Sequence, residues 1–235
     1  MLLRQGDCIE LMRDIPDGSI DMVLCDLPYG LTRNAWDVKI PFAALWEQYR
    51  RITKPNAAIV LHCQQPFTSE LIQSNRAWFK YCWIWSKHQV SGFLNANKQP
   101  LRNCEEIAVF YRQQCTYHPQ MTKGAMQHQR SKSRSPNYGA YGDQERISDL
   151  RYPTTLLDIP RPRFRGEHPT QKPAALLEYL IRTYTNEGDT VLDNCMGSGS
   201  TGVACTKTNR DFVGFELDPK WFEIAKKRIE EEETL

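Results

Sequence analysis

Short apolar runs alternate along the chain with segments whose apolar residues recur at helical spacing. The short runs predict buried strands at 20–25, 57–63, 78–87, 106–112, 190–193 and 212–215. The amphipathic segments predict helices at 41–54, 66–75, 173–185, 201–208 and from 218 onward. Strands that alternate with helices in this way favour an α/β fold built on a mostly parallel sheet.

The periodicity fails between 113 and 167, where Gln, Ser, Arg, Tyr, Gly and Pro dominate. A connection this long inside a compact domain is usually functional or disordered. Residues 116–165 carry nine Lys and Arg against four Asp and Glu, although the whole chain has a net charge of only +2. Such a basic segment indicates a polyanionic partner, with a solvated loop as the alternative. We therefore expect one domain spanning 1–235 with an irregular insertion at 113–167.

Composition excludes several classes of protein. With 40% apolar and 25% charged residues, the chain is typical of a soluble globular protein. Its longest purely apolar run, 57–61, is far shorter than the ~20 residues that cross a membrane, and its N-terminus lacks the pattern of a signal peptide. The eight cysteines form no CxxC pair. We therefore expect neither a disulfide framework nor a metal site, and we expect a cytoplasmic protein.

A glycine-rich loop, GSGSTG at 197–202, follows one predicted strand and precedes a predicted helix. Such a loop lets a ligand approach the backbone, and an acid at the end of the next strand, here Glu216, binds ribose hydroxyls. Asp193 closes the strand just before the glycines, where a carboxylate would repel a pyrophosphate. A carboxylate there suits the ammonium and sulfonium groups of S-adenosylmethionine, so the pattern favours this methyl donor over NAD. A tight turn without a ligand is the structural alternative.

Four segments together form a recognisable set. They are GDCIELM at 6–12, DLPYG at 26–30, HPTQKP at 168–173 and DNCMGSGST at 193–201. In this order they resemble the motifs of DNA amino-methyltransferases that modify adenine N6 or cytosine N4, in the circularly permuted group called β. The resemblance covers nearly the whole chain apart from the basic segment.

The resemblance implies a doubly wound, Rossmann-like sheet, the methyltransferase fold, with the donor-binding motif last in the chain. Strands 20–25, 190–193 and 212–215 would then lie side by side and parallel, with their carboxyl ends opening on one crevice. The irregular basic segment would be an inserted target-recognition region.

DLPYG is the catalytic motif that the resemblance implies. Ionised Asp26 and the Leu27 carbonyl would accept hydrogen bonds from the exocyclic amine, and Pro28 keeps Leu27 extended. Tyr29 would offer a ring face to a base taken out of the stack. Leu27 stands where the family usually has proline, and Asn194 and Cys195 also depart from its pattern. An aspartate at the head of the motif favours adenine N6, with cytosine N4 as the alternative.

The resemblance also assigns residues to the donor and to DNA. Lys172 would pair with the methionine carboxylate, and Asp7 and Cys8 would face the adenine of the donor. The residues expected to bind the donor are Asp7, Cys8, Asp26, Thr170, Lys172, Asp193, Cys195, Gly197, Ser198, Gly199, Ser200, Thr201, Glu216 and Leu217. The residues expected to contact DNA are Arg130, Lys132, Arg134, Tyr138, Arg161, Arg163 and Arg165. Lys87, near a strand end, is interpreted as a surface lysine.

The expected activity is site-specific methylation of double-stranded DNA with S-adenosylmethionine, as in restriction–modification. Members of the permuted group often pair, which predicts a homodimer. An NAD-dependent oxidoreductase is a rival interpretation, although Asp193, DLPYG and HPTQKP argue against it. A non-catalytic binding module is another, although the intact DLPYG motif argues against that.

Overall fold

The computed structural model describes residues 1–30, 37–131, 134–135, 139–140, 144–161 and 171–234, with side chains described outside 129–146. It divides into two compact units, Met1–His118 with Thr155–Leu235, and Pro119–Thr154. Among the described residues, no helix combines the length and apolarity needed to cross a membrane. All eight cysteines are free thiols.

The elements follow one another in the alternating order that the apolar pattern predicts. The strands are β1 (Leu2–Gln5), β2 (Ile20–Asp26), β3 (Thr53–Cys63), β4 (Phe79–Ser91), β5 (Arg102–Phe110), β6 (Thr122–Ser131), β7 (Arg134–Ser135), β8 (Gly139–Ala140), β9 (Gln144–Arg151), β10 (Leu156–Asp158), β11 (Thr190–Asp193) and β12 (Asp211–Glu216). The helices are α1 (Cys8–Met12), α2 (Phe42–Ile52), α3 (Phe67–Ser74), α4 (Ala174–Tyr184), α5 (Ser200–Lys207) and α6 (Pro219–Glu233), with one short 3₁₀ turn at Phe93–Asn95.

Eight strands of the described larger unit form one sheet in the order β1-β12-β11-β2-β3-β5-β4-β10. The strands from β1 to β3 in this order are parallel, β5 runs antiparallel to β3 and β4, and β10 is parallel to β4. The predicted adjacency of 20–25, 190–193 and 212–215 is confirmed, because β2, β11 and β12 are neighbours. The mostly parallel sheet of the α/β prediction is also confirmed.

Helices cover both faces of the sheet, which makes the fold doubly wound. Successive side chains of a strand point to opposite faces, and β2 shows the consequence. Met22 and Leu24 pack in one buried cluster with α4, α5 and α6, whereas Val23 and Cys25 pack in a second cluster with α1, α2 and α3. Prolines directly precede α2, α3 and α4, where the fixed φ of proline suits a helix start.

The structure contains strands that the apolar pattern did not predict. In the smaller unit, β6 and β9 form an antiparallel pair within the segment interpreted as irregular. Their sequences, TKGAMQHQRS and QERISDLR, are largely polar, and the described side chains of β6 at 122–128 are all exposed, so no apolar alternation marks the strands. Two further short strands, β1 and β10, extend the large sheet at its two edges.

Candidate active site

A cavity of about 770 Å³ lies in the larger unit at the carboxyl ends of the parallel strands. Its lining includes the last residues of three neighbouring strands, Asp193 of β11, Glu216 of β12 and Asp26 of β2. In open α/β sheets, ligands bind in the crevice outside these strand ends. The crevice predicted from the sequence is therefore present, and it brings the glycine loop and DLPYG to one site.

The glycine loop forms one wall of the cavity and is held by Glu216. The Gly197 N–H donates to Glu216 Oε2 at 2.8 Å, and the Asp218 N–H donates to Oε1 at 2.9 Å. Gly197 and Gly199 have φ of +52° and +78°, a left-handed conformation that glycine adopts without strain. Gly199 itself is outside the cavity lining, because it packs against Ala225 of α6.

Asp193 is buried beneath the same loop. Its carboxylate accepts hydrogen bonds from the Thr201 hydroxyl at 2.6 Å and from the Cys195 N–H at 3.1 Å. Burial raises the pKa of Asp193 to about 6, because the hydrogen bonds offset only part of the desolvation. A cationic group of a ligand placed beside Asp193 would favour its ionised form.

The N-terminal motif lines the cavity next to Glu216. Asp7 caps α1 by accepting hydrogen bonds from the Ile9 and Glu10 N–H groups at 2.9 and 3.1 Å. The Gly6 N–H donates to the carbonyl of Glu216 at 2.9 Å, which joins β1 to β12 beyond the strand pairing. The cysteine beside this cap, Cys8, lines the same wall as Cys195.

Asp26 ends β2 with both carboxylate oxygens hydrogen-bonded. The Tyr29 hydroxyl donates to Oδ1 at 2.6 Å, and Lys172 Nζ donates to Oδ2 at 2.7 Å. The Tyr29 ring stacks on Phe67 with 4.9 Å between centroids. Gly30 follows with φ of +66°, as a turn at this point predicts. DLPYG is therefore a turn in which the Tyr29 side chain reaches back to Asp26.

A buried cluster of charges extends from Asp26 to β4 and β5. Lys172 Nζ lies 3.2 Å from Glu105 Oε2, and Lys87 Nζ lies 3.0 Å from Glu105 Oε1. Burial tends to raise the pKa of Glu105, but the two lysines outweigh it and hold the pKa at about 2. Burial tends to lower the pKa of Lys172, but Asp26 and Glu105 outweigh it and raise the net value. Glu105 and Lys172 are therefore charged at neutral pH.

The interpretation of Lys87 as a surface lysine was wrong. Its relative exposure is 5%, and its ion pair with Glu105 of β5 supplies the partner that a buried lysine needs. The sequence showed a lysine near a strand end, but the pairing partner depends on the hairpin register, which is not a local property of the sequence.

Sequence reasoning also missed His62 at the far end of β3. His62 lines the cavity, is 1% exposed, and is the register partner of Asp26 on the neighbouring strand. Burial and the charge of Lys172 lower its pKa to about 4, so its imidazole is neutral. A polar residue closing the apolar run AAIVL was the available signal.

Most predicted site residues converge on the cavity. Those that line it are Asp7, Cys8, Asp26, Leu27, Pro28, Tyr29, Arg161, Lys172, Asp193, Cys195, Gly197, Ser198, Ser200, Thr201, Glu216 and Leu217. Those that lie outside the described residues or side chains are Arg130, Lys132, Arg134, Tyr138, Arg163, Arg165 and Thr170. Their expected contacts with DNA or the donor stay predictions.

Comparison with known proteins adds an independent observation. Residues 20–227 match a family model described as DNA methylase, which groups N6 and N4 enzymes. The chain is 26% identical to type II methyltransferase M2.MboI of Moraxella bovis over 256 residues, covering 97% of this chain and 86% of that protein. Among solved structures, the M1.HpyAVI–SAM complex is 25% identical with a TM-score of 0.65, covering 97% and 98% of the two chains. The cytosine-N4-specific PvuII DNA methyltransferase is 18% identical with a TM-score of 0.69, covering 96% and 85%.

Proposed function

The chain belongs to the DNA methylase family of N6 and N4 amino-methyltransferases, and we propose that it transfers the methyl group of S-adenosylmethionine to adenine N6 in double-stranded DNA. The observation that carries this proposal is the position of Asp26. It stands at the end of β2, in the cavity that the glycine loop and Glu216 also line. The oxidoreductase alternative is not supported, because the buried Asp193 carboxylate beside the glycine loop would repel a pyrophosphate.

The walls of the cavity suit the donor. Gly197, with no atom within 4 Å of where a Cβ would lie, leaves space for a ligand against the loop. Carboxylates of Asp193 and Glu216 match the cationic and hydroxyl groups of S-adenosylmethionine, which supplies an electrophilic methyl group on its sulfonium. Lys172 has three N–H donors, so it can keep its ion pair with Glu105 while it binds the methionine carboxylate.

Asp26 acts on the exocyclic amine that accepts the methyl group. An exocyclic amine is a weak nucleophile because its lone pair is conjugated with the ring. The Asp26 carboxylate and the Leu27 carbonyl accept its two N–H groups and draw the nitrogen toward tetrahedral geometry. Positive charge develops on this nitrogen as the methyl group arrives, and a carboxylate fixed in place by Tyr29 and Lys172 stabilises it. Asp26 takes the proton after transfer, with no covalent enzyme intermediate.

One experiment identifies the base that receives the methyl group. The protein is incubated with labelled S-adenosylmethionine and mixed-sequence duplex DNA, which is then digested to nucleosides. We expect label in N6-methyladenine. Label in N4-methylcytosine would keep the mechanism and contradict the choice of base, and DNA without label would contradict the proposed function.

The pH dependence of donor binding follows from Asp193. In the free protein its pKa is raised to about 6, and a cationic donor beside it lowers that pKa. Donor affinity should therefore be constant above pH 6 and weaken by up to about tenfold per pH unit below it, because binding then requires loss of a proton. Calorimetric titration between pH 4.5 and 8 measures this. Glu216, whose pKa burial also raises, adds to the slope, so the decisive comparison is with Asp193→Asn, which should bind weakly and lose the Asp193 share of the slope.

The sequence and the family support three further proposals, which concern contacts with DNA, the biological role and the oligomeric state. The basic residues of the 113–167 segment contact DNA phosphates, which would make affinity fall with salt. M2.MboI is named a type II methyltransferase, and by this likeness the chain would act in restriction–modification in the cytoplasm. Pairing of permuted family members supports a homodimer.

A further inference from the structure

His62 occupies the side of Asp26 that faces away from the donor wall. In the sheet, β11 and β12 lie on one side of β2, and β3 lies on the other. His62 is the register partner of Asp26, and Leu24 and Val60, two positions earlier on each strand, share one core cluster. Asp26 and His62 therefore point to the same face of the sheet, from strands about 4.8 Å apart. If the amine lies at Asp26 with the methyl donor on one side, the ring of the base lies on the His62 side.

Neither ring nitrogen of His62 has a hydrogen-bond partner among the described residues, although both are buried. Buried polar groups in folded proteins are nearly always hydrogen-bonded, and leaving one unpaired is unfavourable. His62 lines the cavity, so a ligand that enters can supply the missing partner. This unpaired imidazole is thus a feature of a site that a polar molecule completes.

The hydrogen-bonding capacity of His62 is defined by its surroundings. The charged groups that act on it are Lys172, Asp26 and Glu105, and burial together with Lys172 keeps it neutral, with a pKa of about 4. A neutral imidazole has one N–H donor and one acceptor nitrogen. Adenine has a ring nitrogen, N1, that accepts hydrogen bonds and is bonded to the carbon that carries the exocyclic amine. An acceptor at Asp26 and a donor at His62 therefore match two adjacent groups of adenine.

We propose that His62 donates its ring N–H to N1 of the flipped adenine and so orients the amine on Asp26. The inference rests on the proposed function and names the contact that positions its substrate. His62 is a positioning residue, because it contacts the ring and takes no part in bond making. A side chain that cannot donate at this position would let the base rotate away from Asp26.

A double-mutant cycle tests this contact, with the His62→Leu variant as one change and an altered target base as the other. Single-turnover methylation is measured for the unaltered protein and His62→Leu, on DNA whose target adenine is either natural or 1-deazaadenine, which replaces N1 by C–H. We expect the unaltered protein to lose about 10- to 100-fold in rate on the altered base, since a buried donor is then left unpaired. His62→Leu should be slowed by about as much on natural DNA, and should lose less than about threefold more on 1-deazaadenine. Intrinsic changes in the analogue cancel in such a cycle.

Controls separate this contact from a packing role. DNA with 7-deazaadenine at the target should be methylated by the unaltered protein at close to the normal rate. His62→Gln, which keeps an N–H donor, should recover part of the rate on natural DNA. Donor binding should be the same in all three proteins, which also shows that the variants are folded.

The following outcomes would overturn the inference. An equal 1-deazaadenine penalty in the unaltered protein and in His62→Leu would show that N1 does not contact His62. A penalty with 7-deazaadenine instead would move the contact to the other edge of the base. Absence of any methylated base with the unaltered protein would overturn the proposed function as well, so the two failures are distinguishable. An N4-methylcytosine product would overturn the contact with adenine N1, and the same cycle with 3-deazacytosine would then test the equivalent ring nitrogen of cytosine.

Discussion

Asp26→Asn should lower the single-turnover rate of methyl transfer by about 10²- to 10³-fold, because removal of one preorganised group from a charge-stabilising site costs about 2.7–4 kcal/mol of activation free energy. The Asn amide keeps the shape of the carboxylate but lacks its charge. Lys172 Nζ donates only, so it will turn the amide oxygen toward itself. The amide NH₂ then faces the side of Tyr29 and the substrate amine, where an acceptor is needed. Quenched-flow measurement with labelled donor gives the rate.

The variant is expected to fold and to bind the donor within about threefold of the normal affinity. Lys172 keeps its second contact, 3.2 Å to Glu105, so no buried cation is left unpaired. The matched control is Asp21→Asn on the same strand. Asp21 is outside the cavity lining and bonds Lys54 Nζ and the Thr190 N–H. Its loss should reduce stability without changing the rate. A rate above a tenth of normal for Asp26→Asn would remove Asp26 from the catalytic role.

The position of Asp26 was predictable because its signals are local. DLPYG ends an apolar run, and parallel strands place their carboxyl ends at one edge of a sheet. Asp193 at the end of the predicted strand 190–193 and Glu216 directly after the predicted strand 212–215 follow the same rule, so the sequence predicts that both meet Asp26. The cavity lined by all three confirms this convergence.

The other half of the cavity was not predictable in the same way. Glu105 lines the cavity, and Lys87 reaches Glu105 through the register of an antiparallel hairpin, in which Trp85 pairs with Glu105 and Ser86 with Cys104. A shift of β4 by one residue against β5 would turn Lys87 to the face opposite Glu105. Each strand alone predicts no such register, and a lysine is exposed far more often than buried. The buried cluster therefore depends on long-range pairing.

The strands missed in the sequence have a related cause. β10 is three residues long and pairs in parallel with β4, more than sixty positions earlier, through Leu156 and Ile84. A parallel pair needs a crossover connection, so no turn signal next to β10 indicates its partner. Short edge strands gain their stability from the sheet they join rather than from their own sequence.

Gly199→Ala should destabilise the protein more than Gly197→Ala in the same glycine loop. Gly199 has φ of +78° and ψ of 20° at the residue before α5, and an alanine in this conformation costs about 1–2 kcal/mol. An added Cβ would also lie 2.9 Å from Ala225 Cβ and 3.0 Å from Ala225 Cα. The second atom belongs to the α6 backbone and cannot rotate away, so overpacking adds about 1–3 kcal/mol. Urea unfolding at equilibrium should show a loss of about 2–5 kcal/mol, which is the sum of these two principles.

Alanine variants of two other glycines distinguish the cost of a positive φ from the cost of steric overlap by the added Cβ. Gly18→Ala and Gly197→Ala have φ of +60° and +52° but no atom within 4 Å of the added Cβ, so each should lose only the conformational part. Gly18 is outside the cavity lining, whereas Gly197 is part of it. Gly18→Ala should therefore bind the donor normally, and Gly197→Ala should bind it less well at nearly the same stability. If Gly199→Ala unfolded at the same urea concentration as Gly18→Ala, α6 would have to yield to the added methyl. The close approach of α5 to α6 would then not be what requires glycine at 199, and the positive φ alone would explain it.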